Sequence, residues 1–269
     1  MKIRAGFDIA YECENETAML LVLNLHPSRR ADLLSEQVLT FDRPIEAWGY
    51  MDIFGNACSR ITAPPGVTTI STRFDIYDGG LPDPVPENAF QHDIKDLPDD
   101  VLVFLLGSRY CDTDRLADFA WKNFSATPLG WPRVQAILDF VHSHIVFNYE
   151  KADPLRTAYG GFIDRTGVCR DFAHLAITLC RCMNIPARYC TGYLGDIGVP
   201  KDPNPMDFSA WFEVYLSGRW YTVDARHNMP RIGRILMATG RDATDVALST
   251  AFGPAILKRF EVITEELAG

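Results

Sequence analysis

The chain has 269 residues, 47% of them hydrophobic and 23% charged, a balance that suits a globular protein able to bury a substantial core without staples. A net charge of −9, from 26 basic and 35 acidic residues, argues against a nucleic acid or an anionic membrane surface as partner. No apolar run reaches the ~18 residues of a membrane span, and the opening Met1–Asp8 meets an acidic residue too early for a signal peptide. The seven cysteines are scattered and odd in number, which predicts a reducing cytoplasm with most of them in core positions and no disulfide framework.

Residues 1–80 read as strands. Ile3, Ala5, Phe7, Ile9 and Tyr11 alternate with mostly polar neighbours, Met19–Leu25 is a continuous apolar run, and Val67–Tyr77 is rich in β-branched residues. Asp52–Asn56 lies between strand candidates as a hairpin turn. The stretch 79–98, with Gly79-Gly80, Pro82, Pro84, Pro86 and Pro98, reads as a linker and a domain boundary. Helices follow: one from Thr113 to about Phe124, and one from Trp131-Pro132 whose Val134, Ile137, Leu138, Val141 and Ile145 keep helical spacing. A third begins after Gly167 and is apolar on several sides through Cys180, which predicts a central buried helix ended by Asn184-Ile185-Pro186. Strands then run over Ala187–Leu194, Ala210–Leu216 and Arg219–Val223, the last two joined by Ser217-Gly218, with a final strand over Ala255–Ile263.

The segment Thr166-Gly167-Val168-Cys169-Arg170-Asp171 delivers a cysteine to the first turn of the buried helix. The partial positive charge and free amides of a helix N-terminus favour thiolate over thiol and can hold an oxyanion, so Cys169 is the candidate nucleophile. If Ser217-Gly218 is a two-residue turn, Leu216 faces Arg219 and Trp211 faces Asp224, which sets Ser209 and Asp224 diagonally on one face.

Gly167-Val168-Cys169-Arg170-Asp171-Phe172-Ala173, Ile185-Pro186-Ala187-Arg188-Tyr189, Gly192-Tyr193, Ala210-Trp211-x-Glu213-Val214-Tyr215 and Trp220-x-x-x-Asp224 together resemble the transglutaminase-like superfamily, whose bacterial members include cysteine proteases. The resemblance is close over about residues 110–230. It implies an α+β fold: an N-terminal β-sandwich-like domain with its linker over 1–98, then a papain-like core of helices on an antiparallel sheet over 99–269, including the C-terminal strand. It also implies a Cys-His-Asp triad for acyl transfer on peptide or protein amides, with no cofactor. Cys169 takes the nucleophile position and Asp224 the carboxylate position, while Ser209 stands where the triad histidine belongs. General-base assistance is worth about 10²–10⁴-fold, so this departure matters.

His227, three residues after Asp224, would point to the opposite face if the strand continued, whereas a turn after Asp224 would swing it round as a substitute base. His174 lies about 500° round the helix from Cys169 and reads as a hydrogen-bonded helix residue. His142 and His144 carry no partner signal. Arg170 is a candidate for holding the thiolate, and Asp171 reads as a solvated first-turn residue. Trp131 and Trp211 are expected in the core or the site wall. Cys180, Cys182 and Cys190 lack zinc-site spacing and no phosphate loop is present, so neither a metal nor a nucleotide is expected. Two functions remain open on the residues. One is an acyl-transfer enzyme whose base is not residue 209; the other is a non-catalytic relative that binds a peptide or protein in the same cleft.

Overall fold

The computed structural model of the chain describes residues 1–267. The N-terminal part holds β1 (Lys2–Cys13), β2 (Thr17–Leu21), β3 (Thr40–Phe41), β4 (Trp48–Met51), β5 (Ala57–Ala63) and β6 (Gly66–Tyr77). The middle contains α1 (Asp99–Leu102), α2 (Thr113–Phe124), α3 (Trp131–His144), β7 (Val146–Phe147), α4 (Ala158–Asp164), β8 (Thr166–Gly167) and α5 (Cys169–Cys182). The rest is β9 (Ala187–Leu194), β10 (Ser209–Leu216), β11 (Arg219–Val223), β12 (Arg234–Gly240), β13 (Ser249–Ala251) and β14 (Ala255–Leu267).

Alternation in β1 buries Ile3, Ala5, Phe7 and Ile9 and turns Lys2 and Arg4 outward. Two four-stranded sheets, ordered β14-β1-β6-β3 and β13-β2-β5-β4, share one apolar core with Phe7 and Phe74 on one side and Met19, Leu21 and Ile61 on the other. This is the sandwich-like arrangement expected of the N-terminal strands. The turn at 52–56 joins β4 to β5, with Met51 paired to Ala57.

The second half is an antiparallel sheet, β11-β10-β9-β12, with α5 laid across β9 and β10 and surrounded by α2, α3 and α4. From Asp171 to Cys182 every residue of α5 is buried, which explains its apolar residues on all sides. Ser217 and Gly218, at φ 49° and 79°, form the tight turn that fixes the β10–β11 register from Leu216↔Arg219 to Phe212↔Val223, as the sequence count requires.

Two placements differ from the sequence reading. β14 pairs antiparallel with β1 over its whole length, from Lys2↔Leu267 to Cys13↔Ala255, so the C-terminal strand joins the N-terminal sheet, whereas the 1–98/99–269 division groups it with the core. Tyr193, Phe208, Ile235 and Met237 of the second half are buried in the same apolar cluster as Ile3 and Phe7, so the two parts are not separated by the proline-rich stretch. Register and partner choice depend on tertiary faces that a single strand pattern does not carry.

Candidate active site

The first turn of α5 is set by Asp171, whose Oδ2 accepts the Val168 N–H at 2.8 Å and receives Arg156 Nη1 at 3.3 Å. Asp171 is only 1% exposed, so it is a buried cap and not the solvated residue expected from sequence. A Cβ on Gly167 would come within 2.6 Å of the Asp171 Cβ, so glycine is required for the cap to close. Val168 is then extended and Cys169 opens the helix, partly exposed in a cleft, while the other six cysteines are buried.

The cleft around Cys169, about 450 Å³, is lined by Tyr110, Arg170, Tyr189, Thr191 and residues 207–210. Burial pushes the Cys169 thiol up to about 11; the Arg226 charge and the Ala210 N–H favour the thiolate, while Asp207 and Asp224 oppose it. Desolvation thus opposes the thiolate that the helix N-terminus favours. The cation acting on the sulfur is Arg226, held over the Phe147 ring at 3.8 Å. Arg170 is instead engaged with the Asp153 carbonyl and lies over the Tyr110 ring at 5.6 Å.

At the end of β11 the chain leaves the strand in a turn. Asp224 Oδ1 accepts the N–H groups of Arg226 (2.9 Å) and His227 (3.1 Å), and the Asn228 N–H bonds the Asp224 carbonyl at 2.9 Å. The turn brings His227 back to Asp224, with Nδ1 2.8 Å from Asp224 Oδ2. Asp224 Oδ2 also receives Arg234 Nη2 at 2.8 Å. Burial alone would raise Asp224, yet the Arg234 charge and the His227 hydrogen bond overcome it and hold the carboxyl well below the usual carboxylate range. A carboxylate can only accept, so His227 Nδ1 carries a proton, and in the neutral imidazole Nε2 then holds the lone pair.

Ser209 is 7% exposed and its Oγ has no hydrogen-bond partner among the described residues. It lines both the Cys169 cleft and the adjoining pocket that contains His227. His174 is engaged behind the cleft lining: its Nε2 accepts the Ala243 N–H at 3.1 Å, and its ring stacks on Tyr110. His142, without a partner signal in the sequence, donates from Nδ1 to the Arg226 carbonyl at 2.9 Å and so braces the His227 turn from α3. His144 bonds the Phe162 carbonyl. Trp131 and Trp211 are buried, as expected. Sequence reasoning missed Asp207, Arg226 and Arg234; only the last two carried a signal, their nearness in the chain to Asp224. Among the described residues no group of three or more His, Cys, Asp or Glu is arranged to hold a metal. No helix of the described residues is long and apolar enough to cross a membrane.

The family model "Transglutaminase-like superfamily" matches residues 122–225, which include Cys169, Ser209 and Asp224. The structure of a "putative cysteine protease" from Cytophaga hutchinsonii is 30% identical and superposes with a TM-score of 0.87 over 100% of this chain and 91% of that one. An uncharacterized protein of Mycobacterium leprae is 39% identical over 85 residues, 30% of this chain and 30% of its own length. The periplasmic domain of TgpA from Pseudomonas aeruginosa is 15% identical, with a TM-score of 0.42 over 82% of this chain and 89% of that domain.

Proposed function

The chain belongs to the transglutaminase-like superfamily, and on that premise we propose that it is a cysteine-nucleophile acyl-transfer enzyme acting on peptide or protein amides. Cys169 is the nucleophile, and His227, oriented by Asp224, is the general base in place of the histidine missing at position 209. The observation that carries the reading is the 2.8 Å bond from His227 Nδ1 to Asp224, which leaves Nε2 as the basic nitrogen.

A thiol near 11 is ionised in only about one molecule in 10⁴ at pH 7, so attack needs a base. The Ser209 hydroxyl, unpartnered in the resting structure, turns to relay the Cys169 proton to His227 Nε2. Sγ bonds to the amide carbonyl carbon, and the free N–H groups at the first turn of α5 receive the oxyanion. The imidazolium returns its proton to the amide nitrogen as the C–N bond breaks, so an amine leaves and a thioester remains. Water resolves the thioester in a peptidase or amidase; an amine does so in a transglutaminase. A reducing compartment such as the cytoplasm suits a chain whose seven cysteines are all free.

Turnover of p-nitrophenyl acetate and of peptide p-nitroanilides tests the assignment. Cys169→Ala should abolish turnover, and His227→Ala should lower it about 10²-fold. Ser209→Ala should impair it through loss of the hydroxyl bridge, while Ser209→His should create a direct base and restore activity to the His227→Ala background. Full activity in His227→Ala would remove His227 from the mechanism, and full activity in Cys169→Ala would remove the reading altogether.

A further inference from the structure

Asp224 is fixed from outside the hairpin as well as within it. Arg234, at the start of β12, is buried and spans two carboxylates: Nη2 reaches Asp224 Oδ2 at 2.8 Å, and Nε reaches Asp83 Oδ2 at 2.8 Å. Asp83 belongs to the proline-rich 79–98 stretch, about 140 residues from Asp224 in sequence. Its Oδ2 also accepts the Arg231 N–H at 3.0 Å, and its own N–H bonds the Arg231 carbonyl at 2.9 Å, so it grips the segment leading into β12 by backbone and side chain. The Arg234 guanidinium lies over the Trp211 ring at 5.0 Å, which limits its freedom to turn away. The result is a continuous series, Asp83, Arg234, Asp224 and His227, whose members are each hydrogen-bonded to the next. Side-chain exposure falls from 16% at Asp83 to 7% at Arg234 and 3% at Asp224.

We propose that Asp83 and Arg234 are positioning residues for the reaction: the linker carboxylate orients Arg234, Arg234 fixes the Asp224 carboxylate, and Asp224 fixes the His227 ring with Nε2 toward Ser209. The proposal rests on the reading of His227 as the base. Asp224 Oδ1 is already occupied by two backbone N–H groups. Oδ2 must hold the imidazole alone unless a second donor pins it, and Arg234 is that donor. Without it the carboxylate can rotate or tilt, and the imidazole loses its defined direction. A misplacement of about 1 Å at a reacting group costs up to ~10²-fold. The proline-rich stretch therefore contributes to the site as well as connecting the two parts of the chain.

The test uses the full chain and two readouts. Imidazole ¹⁵N shifts report the His227 tautomer without requiring turnover; p-nitrophenyl acetate hydrolysis reports acyl transfer. The native protein should show a fixed Nδ1–H tautomer. Asp83→Ala and Arg234→Lys should both give a mixed tautomer and about a ten-fold lower kcat with KM little changed, the pattern of lost alignment rather than lost binding. Asp83→Asn keeps an oxygen to accept from Arg234 and Arg231 and should retain both the tautomer and turnover within about three-fold. Arg234→Lys preserves the buried charge, so a folded variant is available if Asp83→Ala is unstable. A native tautomer in whichever of these variants folds overturns the proposal. If the tautomer changes but Cys169→Ala turns over ester as fast as the native protein, the positioning stands and the acyl-transfer reading falls.

Discussion

Desolvation dominates the Cys169 thiol, and a group at about 11 that is still partly exposed has a definite chemical signature. Only the thiolate is alkylated, so its fraction, and the iodoacetamide rate, should rise about ten-fold per pH unit from pH 7 until the pH nears the pKa. Cys169 should nonetheless be modified first, because the other six thiols are buried. Arg226 favours the anion, so Arg226→Gln should raise the pKa and slow alkylation at pH 8; Asp207 opposes it, so Asp207→Asn should lower the pKa and speed alkylation. Rates measured by mass-spectrometric peptide mapping check this, and an alkylation rate flat from pH 7 to 9 would contradict it. Cys169 and Asp224 were legible because their motifs are local: a glycine before a helix start, and a hairpin countable from its turn. His227 was half legible. Extended geometry sends it to the wrong face, and only the turn closed by the Asp224 side chain reverses that. Asp207 was not legible, since no local pattern marks a residue at the end of an irregular loop as facing a sulfur 38 positions away.

Between residue and fold, the entry into α5 is the element on which the site depends. Gly167 must lack a side chain because Asp171 folds back over it to cap Val168. Gly167→Ala should therefore force the Asp171 carboxylate off the Val168 N–H, leaving it buried with Arg156 and the more distant Arg170 as its charge partners. Overpacking and cap loss together should cost about 1–3 kcal/mol. Denaturant unfolding measures that cost, and the same variant should alter the Cys169 alkylation rate, because the first turn carries the sulfur. A variant with unchanged midpoint and unchanged alkylation would show the turn to be tolerant. The longer elements were readable because period and punctuation agree in them, as in α3 and in the β10–β11 hairpin. Those that escaped have reasons. α4 contains Gly160 and Gly161, poor helix formers, and is held by the Thr157 hydroxyl on the Gly160 N–H and by Arg156 bridging to Asp164. β12, Arg234–Gly240, has a mixed pattern because both its faces are covered, one by the helical layer and one by the N-terminal sheets.

Across the molecule, the order of the chain and the order of the sheets disagree, and stability should follow the sheets. β1 is sandwiched between β6 and β14, so the first and last strands of the chain are hydrogen-bonded along their full lengths. The two halves also meet through aromatic contacts, Phe7 with Phe208 at 5.8 Å and Phe74 with Tyr193 at 5.7 Å, and through Ile235 and Met237, which are fully buried. Each such side chain contributes about 1.5–3 kcal/mol when withdrawn from water. A fragment of residues 99–269 would lose all of this cover and would leave β14 without its partner. We therefore expect it to bind a hydrophobic dye, to self-associate and to melt without a sharp transition. The full chain should unfold in one cooperative step, its Cys169 reactivity lost together with its N-terminal sheet. A shorter deletion, removing only residues 255–269, separates the causes. It keeps residues 1–98 in place but exposes β1 as a 12-residue edge, so it should lower the melting temperature and promote association through strand pairing. Calorimetry and size-exclusion chromatography on both truncated chains decide the matter. Two well-separated transitions in the full chain, or a monomeric fragment 99–269 that melts as sharply as the intact protein and keeps its Cys169 reactivity, would mean that the second half is a self-sufficient domain despite the core it shares.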